Sequence, residues 1–295
     1  MNGASEPNLI DSFGEFIFAW NFSSPPSVLL LMLTAAYTIG TIRLAVRSDT
    51  NASFWSNVGT SYSGFGLLAF ALAGPLDYYS DDLFAMHMSQ HLVIAMFAAP
   101  LLLIGRPMAA YIWALPRPFR IGAGTALTGG GIIVRILTIF TRPKMALPLF
   151  IGTLYGWHLP FAYNGSLENE WVHLIMHFTM FATAVLFWWP IVGPPPIRTQ
   201  LNYPERIVYL LLAVTPTALL AAIITLSKSV LYDFYLTAPG HFHWSTNEDQ
   251  RVGGLLMWIP GNFVYLATMT VLFFKWFAEE ERKISPLRRR NPPAK

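Results

Sequence analysis

Two histidine pairs offer the clearest chemistry in this sequence. His87 and His91 lie four residues apart in an apolar run, and His173 and His177 repeat that spacing further along the chain. On a helix, residues four apart share one face, with Cβ atoms about 5–6 Å apart, so one metal ion can be reached by both imidazoles. Seven histidines distributed at random in 295 residues predict only about 0.2 pairs at this helical spacing. The two pairs therefore indicate a shared role.

A fifth histidine, His158 in YGWHLP, completes the candidate site. We predict that His87, His91, His158, His173 and His177 converge in one metal-binding cluster. The alternative is a set of separate histidines, each held by local hydrogen bonds or at the membrane interface. Imidazole suits copper, zinc, iron or nickel, and geometry decides among them. Methionines can add soft thioether ligands that favour Cu(I), although in membrane helices they usually pack; the candidates are Met86, Met88, Met96, Met176 and Met257.

Composition predicts that membrane helices must position these histidines. Apolar residues make up 54% of the chain and charged residues only 12%, which is far from a soluble globular domain. No cysteine is present, so disulfides, thiolate metal sites and cysteine nucleophiles are excluded. The N-terminus lacks the basic region of a cleaved signal peptide. We find no catalytic constellation, and we expect neither enzymatic activity nor a nucleic-acid partner.

The expected fold is all-α: a polytopic bundle of seven transmembrane helices. The segment 121–140 is interrupted by three glycines and Arg135, so we interpret it as an interfacial or loop-packed helix. The predicted parts are an outer N-terminal segment at 1–26, the seven-span domain at 27–277 and a basic cytoplasmic tail at 278–295. The predicted spans are 27–46, 55–76, 83–105, 145–163, 169–192, 204–227 and 252–276.

Charge in the connecting segments predicts the orientation. Seven spans place 17 of the 19 basic residues on one side, leaving Lys228 and Arg251 on the other. Basic loops stay cytoplasmic, so the N-terminus is predicted outside and the C-terminus inside. All seven histidines then fall on the outer side, including His241 and His243 in GHFHW, which are weak candidates for capturing metal at the entrance. The outer connections are acidic, which either attracts cations or reflects ordinary solvated loops.

Five sequence blocks resemble the polytopic CtaG family of cytochrome c oxidase assembly factors, not the single-span copper chaperone that shares the name. Together they cover most of the chain from Asp82 to Tyr265. Carried over by position, the matching residues are His87 and His91 in HMxxH, His158 in WHLP, His173 and His177 in WVHL and after it, Asp249 and Gln250 in DQ, and Met257 and Trp258 in MW. The blocks are HMSQHLVIAMFAAPLLLIGRP, GWHLPFAYN, EWVHLIMHFTMFATAVLFWWPIVG, YPERIVYLLLAVTPTALLAAIITLS and EDQRVGGLLMWIPG.

The resemblance implies a multi-pass protein of the bacterial inner membrane that helps to mature haem–copper oxidases. It further implies copper delivery to the outward-facing CuA centre. Our hypothesis is that the protein passes copper to the CuA-bearing oxidase subunit or to a soluble copper chaperone. A haem-binding electron carrier is an alternative, although histidines at i and i+4 reach the same face of a haem. A copper permease is another, although the inner halves of spans three to five are nearly all apolar. A metallohydrolase would need Asp249, Asp81 or Asp82 as general base, and no nucleophile is positioned beside them.

Overall fold

The computed structural model describes residues 19–127, 131–238 and 244–290, and the regular structure in these ranges is entirely helical. This confirms the all-α expectation for the described residues. A short 3₁₀ turn, Asp233–Leu236, lies in the connection before the last helix. The helices are α1 Pro25–Arg47, α2 Ala52–Leu72, α3 Pro75–Tyr78, α4 Phe84–Gly105, α5 Met108–Ala114, α6 Arg117–Leu127, α7 Ile132–Phe140, α8 Pro143–Trp157, α9 Pro160–Glu168, α10 Glu170–Val192, α11 Tyr203–Leu226 and α12 Thr246–Arg290.

Five of these helices are long and apolar enough to cross a bilayer. They are α1, α4, α10, α11 and the part of α12 from Thr246 to Lys283. These positions correspond to the first, third, fifth, sixth and seventh predicted spans. The chain is therefore a helical membrane protein, and the full count of seven stays a prediction.

The second and fourth predicted spans coincide with helices of a different character. The first half of α2 carries several serines together with Asn57 and Thr60, which lowers its hydropathy. Helix α8 has only 15 residues, fewer than the roughly 20 that a span needs. It ends at His158 because Leu159 adopts an extended conformation ahead of Pro160, which begins α9.

The glycine-interrupted segment forms α6 and α7, which meet at an angle of 49°. Residues 128–130 between them lie outside the described ranges. If the bent pair counts as one span, the number of candidate spans rises to six. Its interpretation as an interfacial helix stays a prediction.

Helix α4 contains a π-helical stretch, Val93–Ala98, one turn after the first histidine pair. In π geometry the carbonyl of residue i accepts from the N–H of residue i+5. The carbonyl of Ala95 would therefore need the N–H of residue 100 as its donor, but this residue is Pro100, which has no N–H. The indole Nε1 of Trp188 in α10 donates to the Ala95 oxygen instead, at 2.9 Å. This bond joins the two helices that carry the histidine pairs.

Helix α12 packs closely against α4 and α11. Gly253 faces the ring of Phe84 and Gly254 faces Thr225, and a Cβ at either position would clash with these neighbours. The two glycines therefore permit an approach that larger residues would prevent. The close packing brings the first turn of α12 beside the start of α4.

Candidate metal centre

Four histidines from two helices meet at one end of the bundle. Ring centroids of His87 and His91 on α4 are 4.6 Å apart, and those of His173 and His177 on α10 are 4.4 Å apart. Across the helices, His87 lies 5.2 Å from His173, and His91 lies 5.2 Å from His177. The i, i+4 spacing therefore has the geometric consequence expected from the sequence.

Three of the four offer nitrogen atoms to one point in space. One ring nitrogen each from His87, His91 and His177 lie within 4.8 Å of one another. His87 is fully buried, His91 is 6% exposed and His177 is 7% exposed. His87 and His91 each have a buried ring nitrogen without a hydrogen-bond partner among the described residues, which is costly, and ligation of an ion would provide a partner. No other such group of three or more His, Asp or Glu side chains occurs among the described residues.

The start of α4 is held by a carboxylate from the far end of the sequence. Leu83, at the N-cap position, provides no side-chain cap. Asp249 of α12 takes over this function: its Oδ2 accepts from Phe84 N at 2.7 Å and its Oδ1 from Ala85 N at 3.1 Å. The negative charge also lies at the positive end of the helix dipole. Asp249 thereby fixes the turn from which His87 projects.

A chain of hydroxyls determines which nitrogen of His87 is free. Tyr235 donates its single hydroxyl proton to the carbonyl of Ser80 at 2.9 Å, because a carbonyl only accepts. Tyr235 Oη must therefore accept from its other partners, Tyr163 Oη at 3.1 Å and His87 Nδ1 at 3.3 Å. His87 then carries its proton on Nδ1, and its buried Nε2, which has no hydrogen-bond partner, holds a lone pair. Such outer partners orient the ligating imidazoles of metal sites.

His173 and His177 are hydrogen-bonded to each other in this structure. Their Nε2 atoms are 2.8 Å apart, so one donates and the other accepts. Two nitrogens on a tetrahedral ion, each about 2.0–2.1 Å from it, would be about 3.3 Å apart. Binding an ion through both would therefore require this bond to open.

His158 lies beside the four histidines and faces a different cavity, which also receives His91. It caps the end of α8, and its Nδ1 donates to the carbonyl of Leu154 at 2.7 Å. Its ring centroid is 6.3 Å from that of Tyr163. Of the five predicted ligands, three form the compact group, His173 adjoins it, and His158 stands apart.

An acidic cavity adjoins the cluster. It has a volume of about 260 Å³, and its lining includes His173, His177, Asp77, Asp81 and Glu170. Burial raises the pKa of Asp77 to about 6, partly opposed by the hydrogen bond that it accepts from Gln90 Nε2 at 2.9 Å. The carboxylates would concentrate cations beside the imidazoles.

Sequence reasoning missed the residues that orient the site. Tyr163 and Tyr235 were not predicted to contribute, and no spacing rule connects them with His87, which is 148 residues from Tyr235. Gln250 stood out only through the resemblance, and Asp249 was otherwise considered only as a candidate general base. Gln250 binds the preceding loop, where its Oε1 accepts from Leu231 N at 2.7 Å.

The candidate soft ligands divide into two groups. Met176 is fully buried and accepts a hydrogen bond from Ser166 at 3.4 Å, so it belongs to the packing. Met88, Met96 and Met257 line the cavity that also contains His158. Met86 is half-buried outside this cavity. His241 and His243 lie outside the described residues.

The fold and the site define a helical membrane protein with a buried cluster of histidines at one end. A family model narrows this class. Residues 35–279 match the cytochrome c oxidase caa3 assembly factor family, and the chain belongs to that family. The resemblance seen in the sequence is therefore confirmed.

Relatives with less specific descriptions also match along nearly the whole chain. Uncharacterized proteins of Mycobacterium bovis and Mycobacterium tuberculosis are each 26% identical over 283 residues, and one of Mycobacterium leprae is 24% identical over 285 residues. The matches cover 93–94% of this chain and 41–42% of the relatives, so the chain spans about two fifths of their length. No solved structure matches the chain.

Proposed function

We propose that this protein binds copper through His87, His91 and His177 and delivers it to the CuA centre of a cytochrome c oxidase during assembly. The observation that carries the proposal is the convergence of three buried imidazole nitrogens within 4.8 Å. Membership of an oxidase assembly family supplies the target. Copper is the cargo here rather than a resident cofactor, and the reaction is a transfer between ligand sets.

The donor chemistry fits a borderline or soft metal ion. The ligands are neutral imidazoles, and the tautomer of His87 directs a lone pair toward the cluster. A haem fits less well because a planar macrocycle must lie between two axial histidines. The four imidazoles pack with ring centroids 4.4–6.0 Å apart, and the adjoining cavity of about 260 Å³ is below the roughly 300–1,000 Å³ of sites for larger ligands.

The side from which copper arrives follows from the proposed topology. We infer seven spans in the bacterial inner membrane, with the N-terminus outside and the C-terminus in the cytoplasm. The cluster and the acidic cavity then lie near the outer surface, where CuA is assembled. The CuA-bearing subunit of the oxidase and a soluble copper chaperone are the proposed partners, and no enzymatic step is required.

The test is metal analysis of the purified protein. The full chain in detergent is loaded with Cu(II) in the absence of reductant, freed of unbound ion and analysed for copper and zinc. The test variant carries His87→Ala and His177→Ala. The matched control is Ser89→Ala on the same helix, because that hydroxyl donates only to the carbonyl of Ala85 in its own helix. The thermal midpoint of each protein establishes that it is folded.

We expect about one copper per chain in the wild type and in Ser89→Ala, and loss of copper in the folded double variant. In a strain that lacks this protein, the double variant should leave the oxidase deficient in the CuA absorption while its haem content persists. Copper retained by the double variant, or absent from the loaded wild type, would refute the proposal.

A further inference from the structure

A second cavity, distinct from the acidic one, lies next to the histidine cluster. Its volume is about 50 Å³, and it is lined on several sides by Met88, Met96, Met180 and Met257. The polar part of the lining consists of His91, His158, Thr217 and Tyr265, and none of the described residues contributes a carboxylate to it. Met88, Met96 and Met180 are nearly fully buried, so their thioethers face protein rather than lipid. The proposed copper centre uses none of these four methionines.

Each of the two histidines in the lining has a buried ring nitrogen without a hydrogen-bond partner among the described residues. His158 donates through Nδ1 to the Leu154 carbonyl, which can only accept. Its Nε2 therefore carries a lone pair, and this atom is buried without a hydrogen-bond partner. The Nδ1 atom of His91 is also buried and unpartnered. Unpaired buried nitrogens are rare in folded proteins and call for a ligand, a water or an ion.

We propose that this cavity is a binding site for one monovalent soft cation, Cu(I) in the cell and Ag(I) as a laboratory probe. Thioether and imidazole are the ligands that select Cu(I), and the absence of carboxylates from the lining disfavours a hard divalent ion. The cavity is small, with a volume of about 50 Å³, so we expect it to hold one ion that the lining side chains ligate directly.

His91 belongs to both ligand sets, and this links the two sites. We call His87, His91 and His177 the triad, and the cavity lined by Met88, Met96, Met180 and Met257 the methionine cavity. A neutral imidazole has one lone pair for a metal ion, so His91 can ligate an ion in the triad or in the methionine cavity, but not in both at once. The soft site therefore competes with the triad for this residue. The inference rests on the proposed function only in taking copper as the cargo. Apart from His91, the ligands of the soft site are different residues from those of the proposed copper centre.

The test uses the full chain in detergent under anaerobic conditions. Ag(I) and ascorbate-reduced Cu(I) are titrated against a competing chelator, Zn(II) is titrated separately, and X-ray absorption of the Cu(I) protein distinguishes sulfur from nitrogen neighbours. The test variant is Met96→Leu with Met257→Leu, a nearly volume-conserving change. The control is Met32→Leu with Met145→Leu, at positions that are 66% and 49% exposed. A second test variant is His158→Ala.

We expect sulfur neighbours around Cu(I) in the wild type and their loss in the Met96→Leu, Met257→Leu protein. Affinity for Ag(I) should fall by at least about tenfold in both test variants, because each lacks a soft-site ligand. Zn(II), which we expect the triad to hold, should bind all four proteins equally. The exposed-methionine control should match the wild type.

Three results would overturn the inference: only nitrogen neighbours around Cu(I), unchanged Ag(I) affinity in the test variants, or no binding of Ag(I) at all. The last result would indicate that water fills the cavity. Failure of the proposed copper centre has a different signature. In that case His87→Ala with His177→Ala leaves the binding of Zn(II) and Cu(II) unchanged, while the Met96→Leu, Met257→Leu protein still loses Ag(I).

Discussion

Replacing Asp249 with alanine tests whether the far end of the chain positions the histidine cluster. Asp249 is 3% exposed and accepts from the N–H groups of Phe84 and Ala85, which begin α4. Alanine leaves both N–H groups without a partner in a buried position. His87 lies on the first turn of the same helix and should lose its fixed orientation.

The size of the effect follows from these two bonds. A buried donor left without its acceptor costs about 1–3 kcal/mol, and loss of a helix cap costs about 0.5–2 kcal/mol. The unpaired donors and the lost cap are partly the same effect, so the two costs do not simply add. We expect Asp249→Ala to lower the free energy of unfolding by about 2–4 kcal/mol in total. For a chain of this size, each kcal/mol corresponds to about 2–4 °C in the thermal midpoint, which predicts a decrease of roughly 4–16 °C.

The assay compares thermal midpoints and Zn(II) affinities of the wild type, Asp249→Ala and Glu248→Ala. Glu248 is the matched control because it is the adjacent carboxylate, lies exposed and caps only Ser245 of its own segment. We expect a lower midpoint and weaker Zn(II) binding in Asp249→Ala alone. Equal midpoints for the two variants would refute the assignment of Asp249 as the cap of α4.

Two further predictions concern the groups around the cluster. Tyr235→Phe removes the hydroxyl that accepts from His87 Nδ1 and should weaken Zn(II) binding by about 10–100-fold, measured by competition titration. Tyr232→Phe is the control, and an equal loss of affinity in that variant would show that the bond to His87 is not the cause. Asp77→Asn should stabilise the protein at pH 7.5 and have little effect near pH 4. The pKa of Asp77 is raised from 3.8 to about 6 in the folded protein. Ionisation of this carboxyl therefore lowers the free energy of unfolding as the pH rises through that range. After allowance for partial exposure, the expected gain in the free energy of unfolding at pH 7.5 is about 1–2 kcal/mol. The measurement is the difference in thermal midpoint between the variant and the wild type, compared at the two pH values. A pH-independent difference, or the same change in the exposed control Asp49→Asn, would contradict this reasoning.

The sequence predicted the helical class and the two histidine pairs because both depend on local periodicity. An apolar run of sufficient length and a spacing of four residues are properties of one helix. The pairing of His87 with His177 required knowledge of which faces of α4 and α10 meet. Neither the spacing nor the resemblance carries that information, and only the structure shows which faces meet.

The roles of Tyr235, Tyr163 and Asp249 were beyond sequence reasoning for the same physical reason. Each acts across a large separation along the chain, and tyrosine in a membrane protein usually indicates an interface or packing. The break of α8 at His158 was missed as well, although the sequence HLP contains its cause, since a proline disfavours helical conformation in the residue before it. This break removes His158 from a continuous span and places it in the lining of the methionine cavity.

The hydrogen bond between His173 and His177 bears on the release of metal in the function that we propose. At 2.8 Å it holds the two nitrogens closer than the roughly 3.3 Å required around a tetrahedral ion. Recruiting His173 as a fourth ligand beside His177 would therefore break a bond worth about 0.5–1.5 kcal/mol, and that bond re-forms when the ion leaves. By the relation between free energy and affinity, this lowers metal affinity by about 2- to 13-fold relative to a site without the competing bond. A resident cofactor site gains nothing from such competition, whereas a site that must surrender its ion to an oxidase subunit is helped by it.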